Sequence, residues 1–243
     1  MPPVAPDRYA VIIPACNEEQ ALPLVLAELR ALLDPDRFEL VVGVNGSTDR
    51  TAQIARENGA LVAETARRGY GHGCQAAIAR VDAGERVPVD GYLFFAADGA
   101  NDPRDIALLV NRYREQQGGM VLGCRTRKIT NWSIMNFHYV MANRLFGLLC
   151  GLLTGRFFAD LGPLRLIERN LFHRMQLCEW TYGWTIEAQI RAALLKARIV
   201  EVPVRERSRI AGEQKVSRVS WQRSLGVGLQ IIAAGFRSRF RAL

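Results

Sequence analysis

The sequence predicts an α/β protein built on a mainly parallel sheet with helices on both faces. Three observations lead there. Short apolar runs rich in Val and Ile alternate with longer segments whose apolar residues recur at helical spacing. The connections are long enough for a crossover helix between parallel strands. Several apolar runs end in clusters of Asn, Asp, Ser or Glu, at the edge where such sheets bind ligands.

The elements follow in order. Tyr9 to Pro14 (YAVIIP) is a buried strand ended by proline, and Glu18 to Leu33 a helix with Asn17 as its cap. Phe38 to Val44 is a second strand, Asn45-Gly46-Ser47 a turn, and Thr48 to Asn58 a helix that Gly59 terminates. Ala60 to Ala63 is a short strand, and Gly71-His72-Gly73 leads into a helix over Cys74 to Val81. Gly91 to Ala97 is a fourth strand, Pro103 to Gln116 a helix and Met120 to Gly123 a fifth strand. The alternation then stops. Ile129 to Gly155 is helical and carries only one formal charge, Arg144, so it is either a core helix or a surface for membrane or acceptor. A loop at Ala159 to Pro163, a helix around Trp184 to Lys196 and a strand at Ile199 to Val204 precede a basic tail.

With 49% hydrophobic and 23% charged residues over 243, the chain is neither disordered nor fibrous. Its net charge of +8 is concentrated late: from Arg198 onward there are ten basic residues against three acids, and no acid follows Glu213. A tail of that kind suits phosphates or anionic lipid. Nucleic acid ranks last as a partner, because no recognition motif or set of stacking aromatics accompanies the charge.

Five widely spaced cysteines without a Cys-x-x-Cys pair indicate neither a disulfide framework nor a zinc site, and favour a reducing cytosol. No secretory signal is expected from the start Met-Pro-Pro-Val-Ala-Pro-Asp. The longest uncharged apolar stretches, Leu145 to Gly155 and Ser224 to Phe236, fall short of the roughly 20 residues a membrane span needs. Either suits the surface of a membrane, which places the protein in the cytoplasm, peripheral to the inner face.

The strand ends carry the chemistry. They read Ala15-Cys16-Asn17-Glu18-Glu19, Asn45-Gly46-Ser47-Thr48-Asp49 and Asp98-Gly99-Ala100-Asn101-Asp102. No Gly-x-Gly-x-x-Gly follows the first strand, which argues against a nicotinamide dehydrogenase.

The blocks VIIPACNEE, VNGSTDRT, RRGYGHG, FFAADG, LGCRTR, DLGPLR, TYGWTIEAQ, EVPV and RIAGEQKVS occur in one order. In that order they resemble family 2 glycosyltransferases of GT-A fold, most closely the branch of dolichyl-phosphate and polyprenyl-phosphate sugar synthases. The resemblance covers about residues 9 to 220. It implies a GT-A domain over residues 1–217 followed by a basic amphipathic helical tail, 218–243. It also implies inverting transfer of a sugar from a nucleotide-diphosphate donor to a polyprenyl phosphate or other lipid-linked acceptor. A soluble acceptor and a non-catalytic nucleotide-sugar binding protein are the other two readings. The oligomeric state, the donor base and the sugar stay open.

By the same resemblance, Pro14, Asn17, Glu18 or Glu19, Asn45, Ser47, Asp49 and Gly71 belong to the donor site. Asn45 stands where the family usually has an acid, and an amide donates as well as accepts. The family's Asp-x-Asp reads Ala96-Ala97-Asp98, leaving Asp98 as the implied ligand of a divalent metal, magnesium or manganese. Asn101 or Asp102 assisting, arginines substituting for the metal, and lost activity remain alternatives. Arg125 and Asp160 map to the acceptor side, where a guanidinium suits phosphate. Asp160 or Glu187 is the general base if the acceptor is a hydroxyl. Trp184 is either core or site, and His72 and His138 are read as structural. Arg207, Arg209 and Lys215 resemble the family's phosphate clamp, with Gln214 in place of a serine.

Overall fold

The computed structural model of the protein describes residues 7–84, 88–129, 132, 134, 135, 137–212 and 221–241, without the side chains of 221–225. The chain runs β1 (Tyr9–Ala15), α1 (Leu22–Leu32), β2 (Phe38–Asn45), α2 (Thr51–Glu57), β3 (Leu61–Thr65), α3 (Tyr70–Asp82), β4 (Gly91–Phe94) and α4 (Ile106–Glu115). It continues through β5 (Met120–Cys124), α5 (Phe137–Thr154), β6 (Arg165–Glu168), α6 (Arg169–Met175), α7 (Trp184–Leu194), β7 (Ile199–Pro203) and α8 (Trp221–Phe240).

The seven strands lie in the order β3-β2-β1-β4-β6-β5-β7. All neighbouring pairs are parallel except those of β6, which runs antiparallel to both β4 and β5. From β1 the chain moves outward to β2 and β3, then returns to place β4 on the other side. The order therefore reverses between β1 and β4, and the crevice beyond their carboxyl ends is where a ligand fits.

Alternation along β1 divides the core in two. Tyr9, Val11, Ile13 and Ala15 face Leu22, Leu26 and Leu29 of α1 and Ile106, Leu109 and Val110 of α4. Ala10 and Ile12 face the other way, into a cluster with Cys74, Ala77 and Ile78 of α3 and with residues of α5 to α8. Helix α3 lies directly on β2 because two glycines meet: a Cβ at Gly43 would overlap the Gly73 carbonyl, and one at Gly73 would come within 2.8 Å of the Gly43 carbonyl.

Several expected boundaries change. Asn17 does not cap α1. Its backbone is left-handed (φ 54°) and its side chain accepts from the Thr48 amide at 2.7 Å, tying the loop after β1 to that after β2, and the helix starts five residues later. Helix α3 starts at Tyr70 and β4 stops at Phe94. Strand β6 and helix α6 have no counterpart in the sequence reading. Helix α5 is neither wholly core nor wholly surface. Val140, Asn143, Gly147, Cys150 and Gly151 are buried, while Phe137, Met141, Leu145, Leu148 and Leu152 form an exposed stripe at helical spacing. Helix α8 packs on α5 and α7, and residue 217, the expected domain boundary, lies outside the described residues. No helix among the described residues is long and apolar enough to cross a membrane.

Candidate active site

The loops after β1 and β2 are built as one unit. The Asn17 amide donates to Ser47 Oγ (3.0 Å), the Glu18 amide to Thr51 Oγ1 (2.8 Å) and the Glu19 amide to Asp49 Oδ2 (3.1 Å). Partial burial acts to raise the Asp49 carboxyl, but hydrogen bonds from Thr51 and from the Glu19 amide outweigh it and hold the group below the usual carboxylate range. Asn45 Nδ2 donates to the Gly69 carbonyl at 2.9 Å, fastening the end of β2 to the start of α3. Pro14 packs at the same junction, its Cβ 3.0 Å from where a Cβ on Gly73 would stand. Gly71 packs under the 179–180 loop: its amide donates to the Trp180 carbonyl at 3.0 Å, and a Cβ there would lie 2.7 Å from Trp184 Cδ1. His72 stacks on Trp180 with centroids 4.9 Å apart, and Trp184 is fully buried.

Beyond β4, Asp98 is one-third exposed and its Oδ1 accepts from the Ala100 amide at 3.0 Å. Asn101 and Asp102 are buried and serve the turn. Asn101 Oδ1 accepts from the Ala96 amide at 3.0 Å, and Asp102 pairs with Arg104 at 2.7 Å, which pulls its carboxyl down. The segment after β7 runs back along this turn, with the Arg207 amide on the Ala100 carbonyl (2.8 Å) and the Ile210 amide on the Asp98 carbonyl (3.0 Å). Arg209 pairs with Glu18 and lies 3.5 Å from Asp98 Oδ2, and Arg207 pairs with Glu28 at 2.8 Å. The structure thus brings Glu18, Asp98, Arg207 and Arg209 together over the β1–β4 crevice. Lys215 lies outside the described residues.

A divalent ion has one carboxylate available here. Among the described residues no three His, Cys, Asp or Glu side chains are grouped to hold a metal. Asp98, part-exposed and at the crevice, fits a hard cation that takes one or two carboxylates and fills its shell with water and phosphate oxygens.

The other side of the site is buried. Asp160, 2% exposed, accepts from Arg125 three times: Oδ2 from the amide (2.7 Å) and Nε (2.9 Å), Oδ1 from Nη2 (2.9 Å). Arg125 Nη1 also donates to Tyr139 Oη (2.9 Å) and Glu206 Oε1 (3.1 Å). Burial works against the guanidinium charge, but Tyr139 and the two carboxylates outweigh it and keep Arg125 firmly protonated. Glu187 is fully buried and away from this pair: it accepts from the Cys178 amide (3.0 Å) and the Glu179 amide (2.7 Å), with Arg241 3.3 Å off. His138 is exposed on α5.

Two features of the candidate site escape the sequence reading, the contacts of Glu206 and of Tyr139 with Arg125. A lone acid among arginines just past β7 is the available signal for the first.

A family model described as "Glycosyl transferase family 2" matches residues 10–185. The chain belongs to this family. A dolichyl-phosphate hexose transferase of Haloferax volcanii is 32% identical, over 97% of this chain and 97% of that one. An uncharacterised glycosyltransferase of Mycobacterium tuberculosis is 28% identical, over 88% and 92%. A dodecaprenyl-phosphate galacturonate synthase of Rhizobium johnstonii is 27% identical, over 99% and 70%. The Haloferax and Rhizobium relatives bear out the resemblance to the polyprenyl-phosphate branch. Glucosyl-3-phosphoglycerate synthase from M. tuberculosis, solved with Mn2+, UDP-glucose and phosphoglyceric acid, aligns with a TM-score of 0.69 at 20% identity, over 98% of this chain and 82% of that one. That likeness establishes the fold as GT-A, so the family 2 enzyme has the expected architecture.

Proposed function

We propose that this glycosyltransferase moves a sugar, with inversion, from a nucleotide-diphosphate sugar to a polyprenyl phosphate or another lipid-linked acceptor. One observation carries the proposal: the buried Arg125 is tied to α5, the helix that also carries the exposed apolar stripe. Tyr139, which receives Arg125 Nη1, lies in the first turn of α5, and Phe137, Met141, Leu145, Leu148 and Leu152 form the stripe about 160° around the same helix. Exposed Leu229, Phe236 and Phe240 on α8 add to the same two-helix layer. Arginines 144, 156, 237 and 239 fringe it, and neither helix contains an acid. An acceptor that joins an anionic head to an apolar chain suits an arginine tied to a helix with an apolar face, and anionic lipid suits the fringe. The Haloferax dolichyl-phosphate hexose transferase and the Rhizobium dodecaprenyl-phosphate galacturonate synthase support that acceptor class.

On this reading Glu18, Asn45, Asp49 and their loops receive the nucleoside, and Arg207 and Arg209 clamp the diphosphate, joined by Lys215. Asp98 would hold magnesium or manganese; the Mn2+ and UDP-glucose in the synthase structure support that pairing. Such an ion offsets charge on the departing diphosphate. An acceptor oxygen attacks the anomeric carbon opposite the diphosphate. The new carbon–oxygen bond forms as the old one breaks, and the bonding pair leaves on the diphosphate oxygen. A phosphate acceptor is already ionised and surrenders no proton, so the full engagement of Asp160 by Arg125 and of Glu187 by backbone amides is compatible with the chemistry. The tail from residue 218 contacts the membrane surface.

A panel of UDP- and GDP-sugars with Mg2+ or Mn2+, offered polyprenyl phosphate in vesicles or water-soluble phosphate acceptors, tests this. Turnover that requires the polyprenyl phosphate is expected. Turnover on a soluble acceptor alone, or nucleotide binding without turnover, overturns it.

A further inference from the structure

The strap after β7 carries a carboxylate that the proposed reaction does not use. Residues 205–210 lie along the turn beyond β4, joined by the Asn101–Glu206 bridge, by the Arg205 amide on Asp105 Oδ2 (2.7 Å) and by the Arg207 and Ile210 amides. Arg207 and Arg209 point from it toward the donor side, onto Glu28, Glu18 and Asp98. Glu206 points the other way. Its side chain is 14% exposed, Oε1 sits 3.1 Å from Arg125 Nη1, and Oε2 is buried with no hydrogen-bond partner.

We propose that Glu206 is a positioning residue that joins the two halves of the site, seating the strap that bears Arg207 and Arg209 against the Arg125–Asp160 pair. This rests on the donor-and-acceptor reading above. One guanidinium stands between two carboxylates, and Asp160 takes its bidentate face together with the Arg125 amide. Glu206 has a single contact, so it is the member free to tighten or slacken.

The charged and titratable groups that face it are Arg125 beyond β5, Asp160 before β6, Tyr139 on α5, and Asp98 beyond β4 with Arg209 upon it. Burial pushes the Glu206 carboxyl up to about 7, with Arg125 opposing and the charges of Asp160 and Asp98 reinforcing the rise. Above that pH the carboxylate is charged and bonded to Arg125, but its burial costs more than this bond returns, and below it the carboxyl is neutral and that cost is absent. A strap that opens returns this carboxyl to water, where it ionises far more readily, so the closed strap binds the proton more tightly and is held less firmly as pH rises through neutrality.

The test uses the full chain, wild type and Glu206→Gln, at pH 6 and pH 8. Hydrogen exchange, corrected for intrinsic rates, reads protection at the Arg207 and Ile210 amides without ligand. Calorimetry with UDP and with GDP plus Mg2+ reads the wild-type-to-variant affinity ratio, which cancels the nucleotide's own ionisation. Between pH 6 and pH 8, strap protection should fall about 3–10-fold in wild type and stay flat in the variant, with the affinity ratio moving by a similar factor. Protection in β1 and β2 should be the same in both proteins. An equal pH response in the two proteins overturns the proposal, as does a loss of protection spread over the whole sheet. Should neither nucleotide bind wild type, the donor reading fails while the exchange measurement still decides the role of Glu206. If the glutamine variant does not fold, Glu206→Asp replaces it and should weaken strap protection while keeping a pH response; unchanged protection overturns the proposal.

Discussion

The two halves of the candidate site solve opposite problems. On the donor half, Asp49 and Asp98 are part-exposed and are held by amides and hydroxyls of their own loops, so a ligand can reach them without removing a structural bond. On the acceptor half, Asp160 and Arg125 are buried and hold one another, with 1% and 3% of their side chains exposed. The difference teaches where rigidity comes from. Backbone-built loops tolerate a change of charge at their carboxylates, whereas a buried ion pair fixes geometry and is costly to break. Arg165 sharpens the contrast. It too is fully buried, but among the described residues it donates to the Gly162 and Thr185 carbonyls and lies over the Trp184 ring without a paired carboxylate, and burial lowers its affinity for the proton.

The largest effect should come from breaking the buried half. Arg125→Met leaves Asp160 and Glu206 facing each other without a cation, and should cost about 3–5 kcal/mol of folding stability near pH 7. Both carboxyls would then take up protons more readily folded than unfolded, so the lost stability returns as pH falls and urea denaturation at pH 5 and 8 reads the difference. Equal losses at the two pH values would mean the pair is not what holds this half. Asp98→Ala is the counterpart on the open half. Transfer should fall about 100-fold or more while the melting temperature moves little, because the side chain supports charge on the leaving group and not the core.

A smaller effect is expected on the α5 stripe. Leu148→Glu places a charge where about 2 kcal/mol of apolar contact with lipid would be made. Cosedimentation with vesicles containing anionic lipid should weaken roughly tenfold or more, with nucleotide affinity unchanged. Undiminished cosedimentation would place the lipid contact elsewhere on the chain.

The same contrast explains what could be read from the sequence. The strands β1, β2, β4 and β5 were legible because buried parallel strands are short apolar runs whose ends carry polar residues. Strand β6 was not: its four residues, Arg165 to Glu168, begin and end on a charge, and an antiparallel insertion breaks the alternation that guided the reading. On the donor half Glu18, Asn45, Asp49 and Asp98 each follow a strand that reads clearly, so the strand ends place them at one edge although Glu18 and Asp98 are 80 residues apart. The acceptor half is assembled from positions far apart in the chain, Arg125 with Asp160 and Glu206 at separations of 35 and 81 residues. Only the family resemblance places Arg125 and Asp160 on one side, and Glu206 reads as an isolated charge. Asn17 was misplaced for a local reason, since an Asn before a helix reads as a cap whether its side chain serves that helix or the neighbouring loop.

The smallest effect separates the halves most finely. In the folded protein Glu206 titrates near 7, above the ordinary 4.5, so the folded state holds its proton more tightly than the unfolded chain does. The carboxyl is neutral in both states below pH 4.5. Between 4.5 and 7 the unfolded chain gains by ionising while the folded one does not, so stability falls as pH rises through that window and levels off above it. Glu206→Gln removes the ionisation and should flatten the profile, leaving the variant more stable than wild type by about 1 kcal/mol or more at pH 8 relative to their difference at pH 4.5. No such window belongs to Asp49, whose carboxyl is held below its usual range and whose contribution is lost only as pH falls toward that lower value. A wild-type stability curve that is level from pH 5 to 8, and parallel to that of the glutamine variant, would show that the acceptor half keeps Glu206 ionised and that the strap is fixed to it at every physiological pH.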